Sequence, residues 1–205
     1  SSAFCGCSGL NTFYGKFASA DNRCLIIDGV LNSFAPTGLT KYVIPNSVTE
    51  IEHVTFTGCS ALESIDIPNS VTVIGWTAFE GCSALESIDI PNSVTVIGYK
   101  AFEGTRWLDQ QPPRLIVINT ILYRCTDKSV TKIEISNNVT EIGYGAFEGC
   151  SALKNIDIPN SVTEIRSSAF EGCSTLENID IPNSVTKIGD NAFKECSTLK
   201  SIDIP

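Results

Sequence analysis

Nine cysteines, one histidine and a recurring set of aspartates are the residues of this chain whose types and spacing could do chemistry. Cys59, Cys82, Cys150, Cys173 and Cys196 fall in one repeating frame, and Cys7 fits it as well. Thiols can bridge, bind zinc or pack as small apolar groups. No pair has Cys-x-x-Cys spacing and His53 is the sole imidazole, so no metal site is expected. The in-frame cysteines stand beside alanine and phenylalanine columns and read as buried free thiols. Cys5, Cys24 and Cys125 lie outside that frame, and a Cys5–Cys24 bridge stays open.

Acid-base catalysis has little to stand on. His53 occurs once, in a column otherwise filled by Trp76, Tyr99, Tyr144, Ser167 and Asp190. There is no Gly-rich phosphate loop, no G-x-S-x-G elbow and no HExxH. Carboxylates recur in columns and not as one pair flanking a pocket. The expectation is a protein that is not an enzyme and carries no cofactor.

Two columns of surface chemistry remain. The first flanks a central isoleucine and comprises Ser64 with Asp66, Ser87 with Asp89, Asn155 with Asp157, Asn178 with Asp180, and Ser201 with Asp203. Residues on either side of an inward isoleucine point away from the core, so these are expected on a concave strand face. Strands about 4.8 Å apart would align the aspartates into two acidic rows. Such rows either solvate the face or bind cations or a basic segment of a partner. The second column is aromatic: His53, Trp76, Tyr99 and Tyr144. Its rings either pack on one another or offer stacking anchors to a sugar or a protein.

What must position these columns is a 23-residue unit. Pro45, Pro68, Pro91, Pro159 and Pro182 open copies, Ser136 takes the same place in another, and Pro205 begins a seventh. Self-similarity at such a period marks a stacked-repeat architecture. In the copy from Pro68 to Ile90 the apolar residues are Val71, Ile74, Ala78, Phe79, Cys82, Leu85, Ile88 and Ile90. One copy cannot bury them alone, so like must stack on like. Leu85-x-x-Ile88-x-Ile90 reads as a short parallel strand ended by Pro91, which lacks an amide hydrogen. Pro-Asn-Ser is a turn signal, with asparagines 46, 69, 92, 137, 160 and 183 in one column. Val-Thr-x-Ile is a second extended piece, and Ala-Phe-x-Gly-Cys-Ser has room for no more than a helical turn.

This pattern resembles the BspA-like leucine-rich repeats of the Treponema pallidum type. The match is carried by Leu-x-x-Ile-x-Ile-Pro-x-x-Val-x-x-Ile-Gly-x-x-Ala-Phe-x-x-Cys, as in Leu62 to Cys82, and covers nearly the whole chain. The resemblance implies a curved right-handed α/β-type solenoid of short parallel strands, found on bacterial cell surfaces and in some parasitic protists, with roles in adhesion.

The frame is broken twice. Leu25-Ile-Ile-Asp-Gly-Val-Leu31 aligns at an offset of 91 with Ile116-Val-Ile-Asn-Thr-Ile-Leu122, and both read as β-hairpins, through Asp28-Gly29 and Asn119-Thr120. In the third copy Thr105 replaces Cys, Trp107 replaces Ala, and Gln110-Gln111-Pro112-Pro113 occupies the strand, so ladder pairing should stop there. Trp107 reads as a plug over the disrupted coil. The expected organisation is one solenoid: a partial repeat over 1–15, hairpin modules over 16–44 and 114–135, and three repeats over each of 45–113 and 136–205, with a truncated end.

Charge and length narrow the function further. A net charge of −9 argues against nucleic acid and anionic membrane surfaces. No run of about eighteen apolar residues offers a membrane span. Neither end reads as a polar cap, so a fragment of a longer array is expected, with signal and anchor outside it. The function expected is a non-enzymatic adhesin or protein-interaction scaffold, extracellular or on a bacterial surface, binding a host matrix or cell-surface protein. A glycan-binding module and a structural spacer are the alternatives.

Overall fold

The computed structural model describes residues 3–4 and 6–204. The Cys5–Cys24 bridge left open by the sequence and the start of a seventh copy at Pro205 therefore lie outside the described residues. Cys24 itself is fully buried, with its sulfur 3.0 Å from the Tyr42 hydroxyl.

The chain divides into two compact units, Ser1–Gln111 and Pro112–Pro205, and the division falls inside the Gln110 to Pro113 interruption. In the first unit a hairpin of Cys24–Ile27 and Val30–Phe34 turns through Asp28 and Gly29, both at positive φ (51° and 81°), as a tight two-residue hairpin turn requires. Val30–Phe34 then pairs in parallel with Glu50–Ile51, followed by Val73–Ile74 and Val96–Ile97. A second ladder stacks Lys41–Val43, Ser64–Asp66 and Ser87–Asp89, all parallel.

The second unit repeats the plan. Leu115–Ile118 and Ile121–Cys125 form its hairpin, which continues in parallel through Glu141–Ile142, Glu164–Ile165 and Lys187–Ile188. Its other strands pair two by two, Lys132–Glu134 with Asn155–Asp157 and Asn178–Asp180 with Ser201–Asp203. Among the described residues α-helix is confined to one turn, Arg106–Asp109.

The solenoid expectation thus holds, and the hairpin modules take part in the stack. Each supplies a strand to both ladders, because the outer hairpin strand is an addition to an otherwise ordinary coil. Tyr42 takes the inward place of the strand isoleucine and is paired with Ile65.

Packing follows the columns. Phe56, Phe79 and Phe102 stack with centroids 4.9 and 5.5 Å apart and planes within 8°, and Phe147, Phe170 and Phe193 stack at 5.1 and 5.3 Å. Phe4 does not join them; it meets Phe13 edge-on, and Phe34 from the hairpin packs on Phe56 instead. Every turn is closed by a backbone bond from the valine amide to the opening residue, as from Val71 to the Pro68 carbonyl (3.0 Å), and Ser136 closes the same turn with Val139 (3.0 Å).

Trp107 behaves as the plug. Its amide donates to the Leu85 carbonyl at 2.7 Å and its ring tilts onto Phe102 at 4.9 Å. Thr105, in the cysteine column, caps this helical turn by accepting from the Leu108 amide and donating to the Phe102 carbonyl.

Cys59, Cys82, Cys150 and Cys173 are buried, Cys196 is half-buried, and Cys7 is exposed. The thiols of Cys82, Cys173 and Cys196 donate to Phe56, Phe147 and Phe170 carbonyls on the preceding coil. Cys125 stays outside the column: it is buried at the place that Phe34 holds in the first unit, and its thiol donates to the Asp127 carbonyl at 3.4 Å.

One column explains a recurrent glycine. Gly58, Gly81, Gly104, Gly149 and Gly172 all sit at φ near +70°, and in the last copy Glu195 takes that place at φ +61°. A side chain in left-handed backbone costs about 1–2 kcal/mol. Glu195→Gly is therefore expected to raise the stability of the second unit by about 1 kcal/mol, since its only ion pair, to Lys194, is long at 4.0 Å and exposed. An unchanged or lowered melting temperature would contradict this.

Candidate functional surface

The strand face of the first unit is built by register. Lys41 pairs with Ser64 and Ser64 with Ser87; Val43 pairs with Asp66 and Asp66 with Asp89. The middle residues Tyr42, Ile65 and Ile88 are buried, so their neighbours must face outward. Asp66 and Asp89 are exposed and in register, and among the described residues neither is ion-paired. Val43 stands at the head of their row, 66% exposed. Asp89 also lines an open groove of about 620 Å³ whose walls are Asn46, Asn69 and Asn92 with Pro68 and Pro91. Asp89 and the turn asparagines therefore open onto one surface.

In the second unit the expected row is split. Asp157 pairs with Glu134, and Asp180 with Asp203, but the two pairs belong to separate two-stranded sheets. Asn155 faces Lys132, and Lys132 reaches across to Asp157 at 3.3 Å. Asn178 accepts from the Ser201 hydroxyl at 3.0 Å. Other carboxylates on this unit are matched coil to coil: Lys194 holds Glu171 and Lys200 holds Glu177, each at 2.6 Å, and these contacts keep both carboxyls below their ordinary range. Lysines of the second unit pair with Asp157, Glu164, Glu171 and Glu177, whereas Asp180 and Asp203 have no ion pair among the described residues.

The aromatic column is also only partly brought together. His53 stacks on Trp76 at 5.5 Å, and its Nδ1 accepts from the Trp76 amide at 2.9 Å. Trp76 remains 48% exposed. Tyr99 is half-buried with the Lys100 ammonium 5.0 Å over its ring. Tyr144, in the other unit, lies under the Arg166 guanidinium at 5.5 Å. His53 and Trp76 are thus stacked, and Tyr99 and Tyr144 each lie under a cation.

Lys41, Val43, Lys132 and Glu134 were not read as face residues from the sequence. The signal was present in the aligned Leu39-Thr-Lys41 and Val130-Thr-Lys132, which lead directly into these strands. Among the described residues no cluster of three or more His, Cys, Asp or Glu could hold a metal ion, and no helix is long and apolar enough to cross a membrane.

Comparison with known proteins follows the same columns. The family described as BspA type leucine rich repeat region matches residues 30–112 and 117–205 in six copies. Among solved structures, a leucine-rich repeat protein from Bacteroides ovatus is 31% identical over 92% of this chain and 43% of its own, with a TM-score of 0.41. A leucine rich cell surface protein from Faecalibacterium prausnitzii is 26% identical over 93% of this chain and 54% of its own, with a TM-score of 0.44. The T. pallidum leucine rich repeat protein is 26% identical over 95% of this chain and 69% of its own, with a TM-score of 0.34. The chain thus spans less than two thirds of the first two. No curated protein matches it.

Proposed function

The chain belongs to the BspA-type leucine-rich repeat family, and from that premise we propose that it is a non-enzymatic protein-binding scaffold, presented outside the cell, that holds a basic segment of a host or neighbouring-cell protein against the strand face of its first unit. Stacked repeats offer extended regular surfaces and seldom a deep cleft, which favours binding over catalysis. The observation that carries the reading is the in-register pair Asp66 and Asp89, exposed and without an ion pair among the described residues, of which Asp89 lines the asparagine-walled groove. Two exposed like charges on adjacent strands repel by only about 1 kcal/mol in water, so the row is stable alone and ready to be neutralised by lysine or arginine. Val43 gives a segment lying there an apolar foothold.

The test is capture from matrix and cell-surface extracts on immobilised wild type and on Asp66→Asn/Asp89→Asn. A partner held by wild type should bind the double variant about tenfold more weakly and be released by raised salt. Equal retention by both proteins at both salts would refute the acidic-row reading.

A second reading rests on Trp76, which stacks with His53 and stays 48% exposed, an aromatic group of the kind that contacts a sugar ring. Glycan-array binding that vanishes in Trp76→Ala would favour it over the acidic row.

A further inference from the structure

The two units open with the same hairpin, and at the offset of 91 residues their registers coincide. Ile26 opposite Leu31 and Cys24 opposite Phe34 become Val117 opposite Leu122 and Leu115 opposite Cys125. In the first unit the outer strand is itself covered. The Ile26 amide donates to the Phe17 carbonyl at 2.8 Å, the Ser19 amide donates to the Cys24 carbonyl at 2.9 Å, and Ala18 bridges antiparallel to Leu25. Residues 17–19 thus lie as one more extended run along Cys24–Ile27. Asp21, two residues on, accepts from the Arg23 amide at 3.1 Å.

The second unit keeps the edge and lacks the cover. Leu115–Ile118 is the end strand of its five-stranded sheet, and among the described residues no backbone hydrogen bond reaches its outer side. Because the registers coincide, the Val117 amide and the Leu115 carbonyl point outward as the Ile26 amide and the Cys24 carbonyl do. The residues corresponding to 17–19 are Leu108 to Gln110, and they are taken up in the helical turn and its cap, where the Gln110 amide donates to the Arg106 carbonyl at 3.2 Å. They offer no extended run. Exposed sheet edges are ordinarily blunted by charge or proline within the strand. Leu-Ile-Val-Ile has neither, and Val117 is 37% exposed.

Arg114, just before this strand, differs from its counterpart in the same way. Arg23 donates through Nη1 to the Ala35 and Thr37 carbonyls at 3.4 and 2.9 Å. The Arg114 side chain is exposed, acts on Asp127 only through space, and makes no hydrogen bond or ion pair among the described residues. With Leu115, Lys132, Ile133 and Glu134 it lines a cavity of about 380 Å³. Lys132 is already held by Asp157 at 3.3 Å, so Arg114 is the cation of that cavity left for a ligand.

We propose that the outer edge of Leu115–Ile118 is a strand-addition site for an extended segment of a partner protein, paired antiparallel as residues 17–19 pair in the first unit, with an acidic residue that reaches Arg114. Main-chain bonds to Val117 and Leu115 supply the affinity, and the Arg114 guanidinium selects the carboxylate and fixes the direction. The first unit shows the layout of such a segment: Phe17 and Ser19 make the two backbone bonds, and Asp21 stands beside Arg23, the counterpart of Arg114. The site is separate from the acidic strand face of the first unit and takes a segment of opposite charge.

The probe is the synthetic peptide Gly-Lys-Phe-Ala-Ser-Ala-Asp, the sequence of residues 15–21, titrated into the isotope-labelled full chain and followed by nuclear magnetic resonance. The Val117 amide signal should shift and saturate. The same peptide carrying Ser19→Pro has no amide hydrogen for the Leu115 carbonyl and should bind about tenfold more weakly. In the protein, Val117→Pro should weaken the unmodified peptide about tenfold, and Arg114→Gln about threefold with loss of salt dependence. The peptide variant leaves the protein untouched, so the test stays decisive even where Val117→Pro disturbs folding. No saturable shift at Val117, or equal binding of the two peptides, overturns the proposal. A concentration-dependent dimer that the peptide dissociates would place a second copy of this chain on the edge and overturn the partner reading.

Discussion

Phe79→Ala is expected to destabilise the first unit by about 3–5 kcal/mol, the range for removing a buried phenylalanine from a core that cannot collapse around the cavity. Phe79 is fully buried, and its ring lies flat between Phe56 and Phe102 at 4.9 and 5.5 Å. Collapse is resisted because the coil spacing is set by backbone bonds above and below, such as Phe79 to the Ala101 carbonyl and Phe56 to the Ala78 carbonyl, both 2.8 Å. Those bonds hold the neighbouring rings apart after the middle one is removed. The measurement is direct, because both tryptophans, Trp76 and Trp107, belong to the first unit, and their fluorescence in a denaturant titration reports that unit. Phe79→Leu, which leaves most of the volume filled, should cost markedly less. A loss below about 1.5 kcal/mol for the alanine variant would mean the ladder yields, contrary to the close packing of protein interiors.

The same ladder explains what could be read from the sequence. A column is visible when one residue type recurs at one spacing, so the phenylalanines, the turn asparagines and the cysteines from Cys59 to Cys196 were legible. The inward isoleucines also fixed the outward aspartates, through strand alternation alone. The hairpins were legible as hairpins, since Asp28-Gly29 demands that turn. Their second role was not legible. Val30–Phe34 reaches its place in the parallel ladder with a different residue count, so Phe34 meets Phe56 without sharing the repeat frame. Frame counting places residues only as long as each coil has the same length.

The acidic rows show the complementary failure. Sequence spacing predicts which strands lie side by side, but not whether each adjacent pair closes its hydrogen bonds. Asn155–Asp157 and Asn178–Asp180 fall in different sheets, and nothing in the two near-identical copies announces it. Nor does spacing reveal cross-coil ion pairs. Lys132 meets Asp157 because the hairpin coil brings a lysine into register with an asparagine, one diagonal away from the carboxylate.

Arg166 separates two ways of reading a repeat. It stands in the column of Gly75, Gly98, Gly143 and Gly189, so consensus reasoning predicts that Arg166→Gly stabilises. The structure predicts the opposite. The Arg166 side chain is only 13% exposed; its Nη2 donates to Glu141 at 2.7 Å and its Nη1 lies 2.9 Å from a Glu164 carboxylate oxygen as an ion pair, while the guanidinium lies over Tyr144. Glu141, 10% exposed, has no other cation within salt-bridge distance among the described residues, whereas Glu164 keeps Lys187 at 2.8 Å. Removing the arginine strands Glu141 as a nearly buried charge, and we expect Arg166→Gly to cost about 2–3 kcal/mol, less than a fully enclosed pair. The cycle is completed by Glu141→Val, which gives this position the residue found at Val73 and Val96 in the first unit. Replacing the whole pair with apolar contact removes the unpaired charge, so Arg166→Gly/Glu141→Val should recover most of the loss. Denaturation followed by circular dichroism supplies all four corners of the cycle. Additive costs would mean that the two side chains are independent, and a stabilised Arg166→Gly would mean that the repeat consensus outweighs the pair.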